Sequence, residues 1–242
     1  MMGRGSFSKT VTIAPNDCEA LSGVTPSAAL RFMQDVATAG IEATGFTHSV
    51  LLETYHLVFV TAAHAVRFVR PVHAGETLTV RTDPVTFRGA HFLRQTLFTD
   101  ESGALVIEGQ TDWTLIDAAS GRPQRSSAYP GILDPLEGEW TPFADPSRLR
   151  IAEADTPAGE HRVVFADTDQ NRHMNNTVYA RLMTDCFAGE DVPAIGSFFL
   201  KYHRQAREGE IIALSRGRGA DGQFLASGTI DGQLCFSASF CP

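Results

Sequence analysis

Between Asp167 and Asn176 the chain packs two acids, three Asn and one His into ten residues. His173 is the side chain in this stretch whose ordinary pKa suits moving a proton near neutral pH. Asn171 can hold a water or donate to a carbonyl oxygen through its amide. Asp169 can orient a neighbour, either Asn171 or a backbone N–H at the helix start. Asp169, Asn171 and His173 fall at every second position, so an extended or loosely turned segment points all three the same way. The set suits activation of a water for attack on a carbonyl. No Gly-x-Ser-x-Gly motif occurs, so an acyl-serine route has no support.

A helix has to present this cluster. Val178, Tyr179, Leu182, Met183, Cys186 and Phe187 recur at helical steps, as a buried stripe requires. Asn175 or Asn176 can cap it by accepting from the free N–H groups of its first turn. The cluster then stands at a helix N-terminus, where backbone donors and the positive dipole end can hold an oxyanion. Two other readings fail or weaken. A calcium loop beginning at Asp167 needs Gly and Glu where the chain has Arg172 and Val178. A metal site lacks a second His or Cys nearby. A polar turn with an Asn cap and a merely satisfied His173 is the remaining alternative.

The frame reads twice. Lys9 to Ala14 alternates like a strand. Thr25-Pro26 opens an apolar helix through Ala29, Leu30, Phe32, Met33, Val36, Ala37 and Ile41, with Gly45 ending it. Strands follow at 57–72, 77–87, 92–99 and 105–116. Residues 118–158 are rich in Pro and read as a linker wrapping the surface, with Trp140, Phe143 and Leu149 as anchors. The second half repeats the pattern: a strand at 161–166, the helix from Asn175, then strands at 197–207, 210–217, 223–230 and 233–240. Arg31, Met33 and Asp35 match Arg181, Met183 and Asp185 at an offset of 150, and Arg70, Gly75 and Glu76 match Arg204, Gly209 and Glu210 at 134. At 150, Asn171 falls on Leu21 and His173 on Gly23, so the first half keeps the frame without the polar cluster.

The pattern Asp169-x-Asn171-x-His173-x-Asn175-Asn176-x-x-Tyr179 resembles the acyl-ACP thioesterase family of the hotdog-fold superfamily. The acyl-CoA branch looks similar but usually has Gly where this chain has Arg172. Trp113 and Asp117 near the end of the first sheet also look like the family. The resemblance implies an α+β fold, a tandem double hotdog in which each half is an antiparallel sheet wrapped around one long central helix. The expected boundaries are 1–120 for a degenerate half, 121–158 for the linker and 159–242 for the catalytic half.

It further implies hydrolysis of acyl-ACP to fatty acid and ACP without a cofactor or metal. Water attack would be assisted by His173 with Asn171 and Asp169. One position departs: the family carries Glu, often followed by Cys, where this chain has Gln205 and Ala206. An amide can position a water but cannot take its proton. His203 would share a strand face with Gln205 and could substitute. Asn175, Asn176, Tyr179, Arg172 and Arg204 are the expected substrate-binding set. Arg172, Lys201, Arg204 and Arg207 form a candidate carrier-docking patch. The alternatives are an acyl-CoA thioesterase using the same site and a non-catalytic acyl-carrier binder; a hotdog dehydratase fits the cluster less well.

Composition bounds the rest. A 43% hydrophobic share supports a globular core, and sixteen Phe suit a greasy interior or an acyl tunnel. A net charge of −8 argues against nucleic acid, and it makes a local basic face necessary for an acidic carrier protein. No apolar run is long enough to span a membrane, and the N-terminus has no secretory h-region. Cys18, Cys186, Cys235 and Cys241 show no pairing or metal spacing, which fits reduced thiols in a cytoplasm. A homodimer stays open, although a tandem repeat already makes a pseudo-dimer internally.

Overall fold

Thr25 turns the chain into its first helix. Its side chain accepts from Ala28 N–H at 3.0 Å, and Pro26 supplies a first helical residue that needs no partner for an N–H. This helix, α1 (Pro26–Glu42), buries Ala29, Leu30, Met33 and Val36 against a sheet. In the computed structural model, residues 3–19, 23–136, 142–187 and 194–242 are described. The strands in chain order are β1 (Phe7–Thr12), β2 (Cys18–Glu19), β3 (Gly23–Val24), β4 (Leu57–Phe68), β5 (Thr77–Arg88), β6 (His91–Thr99), β7 (Leu105–Asp117), β8 (Thr156–Arg162), β9 (Ser197–Tyr202), β10 (Ile211–Arg218), β11 (Phe224–Ile230) and β12 (Gln233–Cys241). The other helices are α2 (His48–Tyr55) and α3 (Asn176–Asp185). Among the described residues no helix is long and apolar enough to cross a membrane.

Ten strands form one antiparallel sheet in the order β1-β5-β6-β7-β4-β9-β12-β11-β10-β8. The order mirrors about the β4–β9 seam, where His64 faces Leu200 and Val66 faces Phe198. Helices α1 and α3 lie side by side on one face, and Leu30, Met33, Leu182, Met183, Phe198 and Phe236 join one core. Phe199 and Lys201 alternate with buried Phe198 and Leu200, so they look to the other face. The linker covers them there: Phe143 packs on Phe199, and Lys201 Nζ donates to the Leu149 carbonyl at 3.2 Å.

The internal repeat is written in the hydrogen bonds. Val24 N–H donates to Val72 O at 2.8 Å, and Met174 N–H to Ala206 O at 2.8 Å. Gly75 N–H reaches Ile13 O as Gly209 N–H reaches Val163 O, both at 2.9 Å. Arg70 pairs with Glu76, and Arg204 with Glu210. Each long helix is also tied to a single turn of 3-10 helix before it. Asp17 accepts from Ala14 N–H and Arg31; Asp167 accepts from Val164 N–H, Arg181 and His161. The offsets of 150 and 134 seen in the sequence are therefore the spacings of real structural counterparts.

Several boundaries move. The strand expected at 161–166 is β8 at Thr156–Arg162, followed by the 3-10 turn Phe165–Asp167, because Asp167 draws Val164 N–H back onto its carboxylate at 3.1 Å. The strand expected to run to Val72 stops at Phe68, two residues before Arg70-Pro71, and Pro71 has no N–H for a ladder. The strand expected to reach Arg207 stops at Tyr202, because the N–H groups of His203 and Arg204 both turn to Cys235 O. Helix α2 was not expected; Thr47 caps it by accepting from Val50 N–H at 3.3 Å. Leu21 and Trp140 lie outside the described residues.

Asp167 is 5% exposed. Burial works against its ionisation, but the Val164 N–H, His161 and Arg181 together hold its carboxyl below the usual value. A depressed carboxylate pKa gives stability that is complete above the unfolded value near pH ~4 and is lost as pH falls through the folded value. Asp167→Asn is expected to lower stability by about 1–3 kcal/mol at neutral pH. It should also flatten the acid limb of the curve of Tm against pH. An acid limb of unchanged slope in the variant contradicts this account.

Candidate functional site

The polar cluster is a tight loop. Asp169 N–H donates to His173 O at 2.9 Å, and Arg172 N–H to Asp169 O at 3.0 Å. Thr168 and Met174 pair across the base. Arg172 has φ 60°, a left-handed conformation that a non-glycine residue adopts only when its surroundings enforce it. Simple alternation therefore does not carry through Asp169, Asn171 and His173. Instead the Asp169 carboxylate accepts from Asn171 N–H at 2.8 Å and fixes the turn. Asn171 is exposed and His173 half-buried.

Helix α3 and its neighbours anchor the loop from behind. Asn175 is the cap, accepting from Thr177 N–H at 2.9 Å and Thr177 Oγ1 at 2.8 Å, an interaction that stabilises a helix by about 1 kcal/mol. Asn176 begins the helix, and its carbonyl accepts from Tyr202 Oη at 3.1 Å. Tyr179 is 2% exposed; its hydroxyl accepts from Ala206 N–H at 3.1 Å, and burial pushes its pKa up. This geometry makes Tyr179 a support of the segment beside the loop, with its ring against Tyr202 and Phe236.

The residues expected beyond the helix divide. Gln205 is exposed and lies past the end of β9. Because that strand ends at Tyr202, alternation does not place His203 beside Gln205; His203 Nε2 lies 3.0 Å from Ser237 Oγ instead. Arg204 is committed inward, to Glu210 Oε1 at 2.6 Å and Ile230 O at 3.3 Å. Lys201 is held by the linker. Arg172 and Arg207 are exposed, and the residue next to Arg172, His173, pairs with Arg207 through the backbone.

Gln170 and Asn171 open onto a cavity of about 160 Å³ that belongs to the other half of the chain. Ala37 and Ile41 of α1, Phe59, Phe87, Phe92 and Trp113 of the sheet, and Leu133 of the linker form its apolar walls. Asp169, His173 and Gln205 are not among its lining residues. Phe46 and Leu51 close one side, braced by Tyr129, whose ring lies 5.5 Å from Phe46. Arg94 also lines it, and burial pulls this guanidinium down to about 10. The wealth of Phe was the sequence signal for these walls. The signal for Arg94 was a cation at an inward position of β6, between Phe92 and Thr96. Asp117 serves a turn, accepting from Ser120 N–H at 2.7 Å.

A model of the acyl-ACP thioesterase N-terminal domain matches residues 5–128, and one of the C-terminal domain matches residues 152–231. No curated protein sequence matches the chain. An acyl-ACP thioesterase from Bacteroides thetaiotaomicron has a similar fold, with a TM-score of 0.87 at 17% identity over 98% of this chain and 97% of that one. The 12:0-ACP thioesterase from Umbellularia californica gives 0.75 at 17% identity, over 97% of this chain and 96% of its own. The two family models together span most of the sequence, and the chain belongs to the acyl-ACP thioesterase family, whose members are thioester hydrolases.

Proposed function

We propose that this chain hydrolyses acyl-ACP, with the acyl group in the N-terminal cavity and the thioester at the Asn171–His173 loop. One observation carries the reading: the loop that holds Asn171 opens directly onto an apolar cavity supplied by the other half. The fold then reads as a tandem double hotdog, residues 1–120 and 159–242 joined by 121–158. The mirrored strand order and the repeated hydrogen bonds support that division.

In this mechanism His173 takes a proton from water as the oxygen adds to the thioester carbon. Asn171 and N–H groups near the start of α3 stabilise the tetrahedral oxyanion. The C–S bond then breaks, and the sulfur leaves with the proton as the carrier thiol. Asp169 acts at one remove by holding the turn that bears Asn171. Asn175, Asn176 and Tyr179 keep the helix start and the 203–206 segment in place. Gln205 can position water only, so the proton falls to His173. That substitution favours a second reading, acyl-carrier binding without turnover.

Thiol release from matched acyl-ACP and acyl-CoA substrates separates the readings. Turnover on acyl-ACP is expected, with His173→Ala lowering kcat by about a hundredfold or more while the protein stays folded. Comparable rates on acyl-CoA assign the CoA branch. Ligand binding with no turnover, gained only in Gln205→Glu, assigns the binder.

The role of Asp169 predicts a split between two variants. Asp169→Asn keeps an oxygen acceptor for Asn171 N–H and should retain most activity. Asp169→Ala frees the turn and should speed amide exchange at Asn171 together with a loss of kcat. Equal kcat in all three forms, with unchanged exchange, rules out the positioning role.

For the carrier, Arg172 and Arg207 replace the wider basic patch. The pair Arg172→Glu and Arg207→Glu is expected to raise KM for acyl-ACP about tenfold and to spare small thioesters. An equal effect on both substrates sinks the docking role.

A further inference from the structure

Arg94 is 4% exposed and lines the cavity. Two of its three nitrogens are engaged: Nε donates to Thr82 Oγ1 at 3.3 Å and Nη2 to Gly5 O at 2.5 Å. Nη1 is buried with no acceptor among the described residues. The indole Nε1 of Trp113, another lining residue, is buried in the same condition. Two unpartnered donors therefore belong to residues that line one cavity, and native structures almost always supply acceptors to such groups.

The surrounding charges do not answer Arg94. Asp83 is a carboxylate that acts on it, but Asp83 already receives Arg81 through Nε at 2.9 Å and Nη2 at 3.0 Å. Glu42 and His48 line the cavity as well, and neither hydrogen-bonds Arg94. Tyr129 acts on Arg94 from nearby, but its hydroxyl is near Thr44 Oγ1 at 3.3 Å. A purely hydrocarbon tail would leave Nη1 buried without an acceptor, and an unpaired buried donor is costly.

Arg94 shares this cavity with Gln34, Ile41 and Glu42 of α1 and with Gln170 and Asn171 of the polar loop. Its Nη2 side packs against Gly5 and Gly40.

We infer that the preferred acyl group carries an oxygen acceptor along its chain, a hydroxyl, keto or carboxylate oxygen received by Arg94 Nη1, with Trp113 Nε1 the second unpartnered donor among the lining residues. This deepens the hydrolase reading and rests on it for the word acyl. A site built to donate to such an oxygen discriminates against the analogue lacking it, because the analogue leaves buried donors unpaired.

Binding and turnover test it separately. Isothermal titration of the full chain would compare octanoic to dodecanoic acids with their ω-hydroxy, oxo and ω-carboxy counterparts. Thiol release would use the matching acyl-ACPs. The wild type is expected to bind at least one oxygenated series about tenfold or more tighter than the saturated one. Arg94→Met should abolish that preference, and Arg94→Lys should keep part of it. The three arms identify which oxygen is preferred. Should Arg94→Met not fold, Trp113→Phe removes the second donor and should reduce the preference. Saturated acids bound as tightly as all oxygenated ones, or a preference unchanged by both Arg94→Met and Trp113→Phe, overturns the inference. No thiol release from any substrate refutes the hydrolase reading, while the titration still reports on Arg94.

Discussion

A carboxylate buried ahead of each long helix holds this molecule in register. Asp17 and Asp167 each accept from a backbone N–H three residues earlier and from an Arg on the helix that follows. Their carbonyls also receive Thr25 N–H and Asn175 N–H, the residues that cap those helices. One group thus fixes the preceding turn, the cap and the first turns of the helix together. A buried carboxylate is a strict constraint: satisfied on every side it is stable, and stripped of one partner it is strongly unfavourable. The loop Thr168–Met174 is strung between Asp167 and the Asn175 cap, so its shape follows from this clamp.

The polar loop and the cavity it opens onto come from different halves. Asn171 stands on a loop rooted in α3, yet the room it opens onto is enclosed by α1, α2, β4–β7 and the linker. The linker is part of that enclosure: Tyr129 and Leu133 pack against the aromatic walls, and Leu136 N–H ties it to Pro84 O at 2.9 Å. A segment rich in Pro offers few N–H groups for a sheet, which suits a strap held by side chains and occasional backbone contacts.

Much of the frame was legible because its signals are local. Thr25-Pro26 and Asn175 are caps whose partners lie within three residues, and the apolar stripes of both helices are periodic. The repeat was legible through Arg70 and Arg204 with Glu76 and Glu210, pairs that proved to be ion pairs. The misreadings share a cause in contacts between distant residues. Nothing local says that His203 and Arg204 will turn to Cys235, or that Arg172 will take a left-handed backbone and end the alternation. Arg94 was not singled out in the sequence, because its burial and its partners depend on Gly5 and Thr82, far apart in the chain. The cavity walls were legible as an excess of Phe without any indication of which Phe.

The repeat makes one substitution between the halves informative. Ala37 on α1 corresponds to Phe187 after α3 at the offset of 150. Ala37 borders the cavity, whereas the Phe187 ring packs edge-on against Phe224 and Phe240, which stack on each other at 4.5 Å. The same place in the frame is hollow in one half and filled in the other. Empty volume forgoes dispersion contacts, so the frame around Ala37 lacks the ring contacts that its counterpart around Phe187 has. A ligand that fills the hollow supplies such contacts, and by binding the folded state alone it stabilises the fold. The second half, with Phe187, Phe224 and Phe240 packed together, gives the polar loop a support that does not depend on what fills the first.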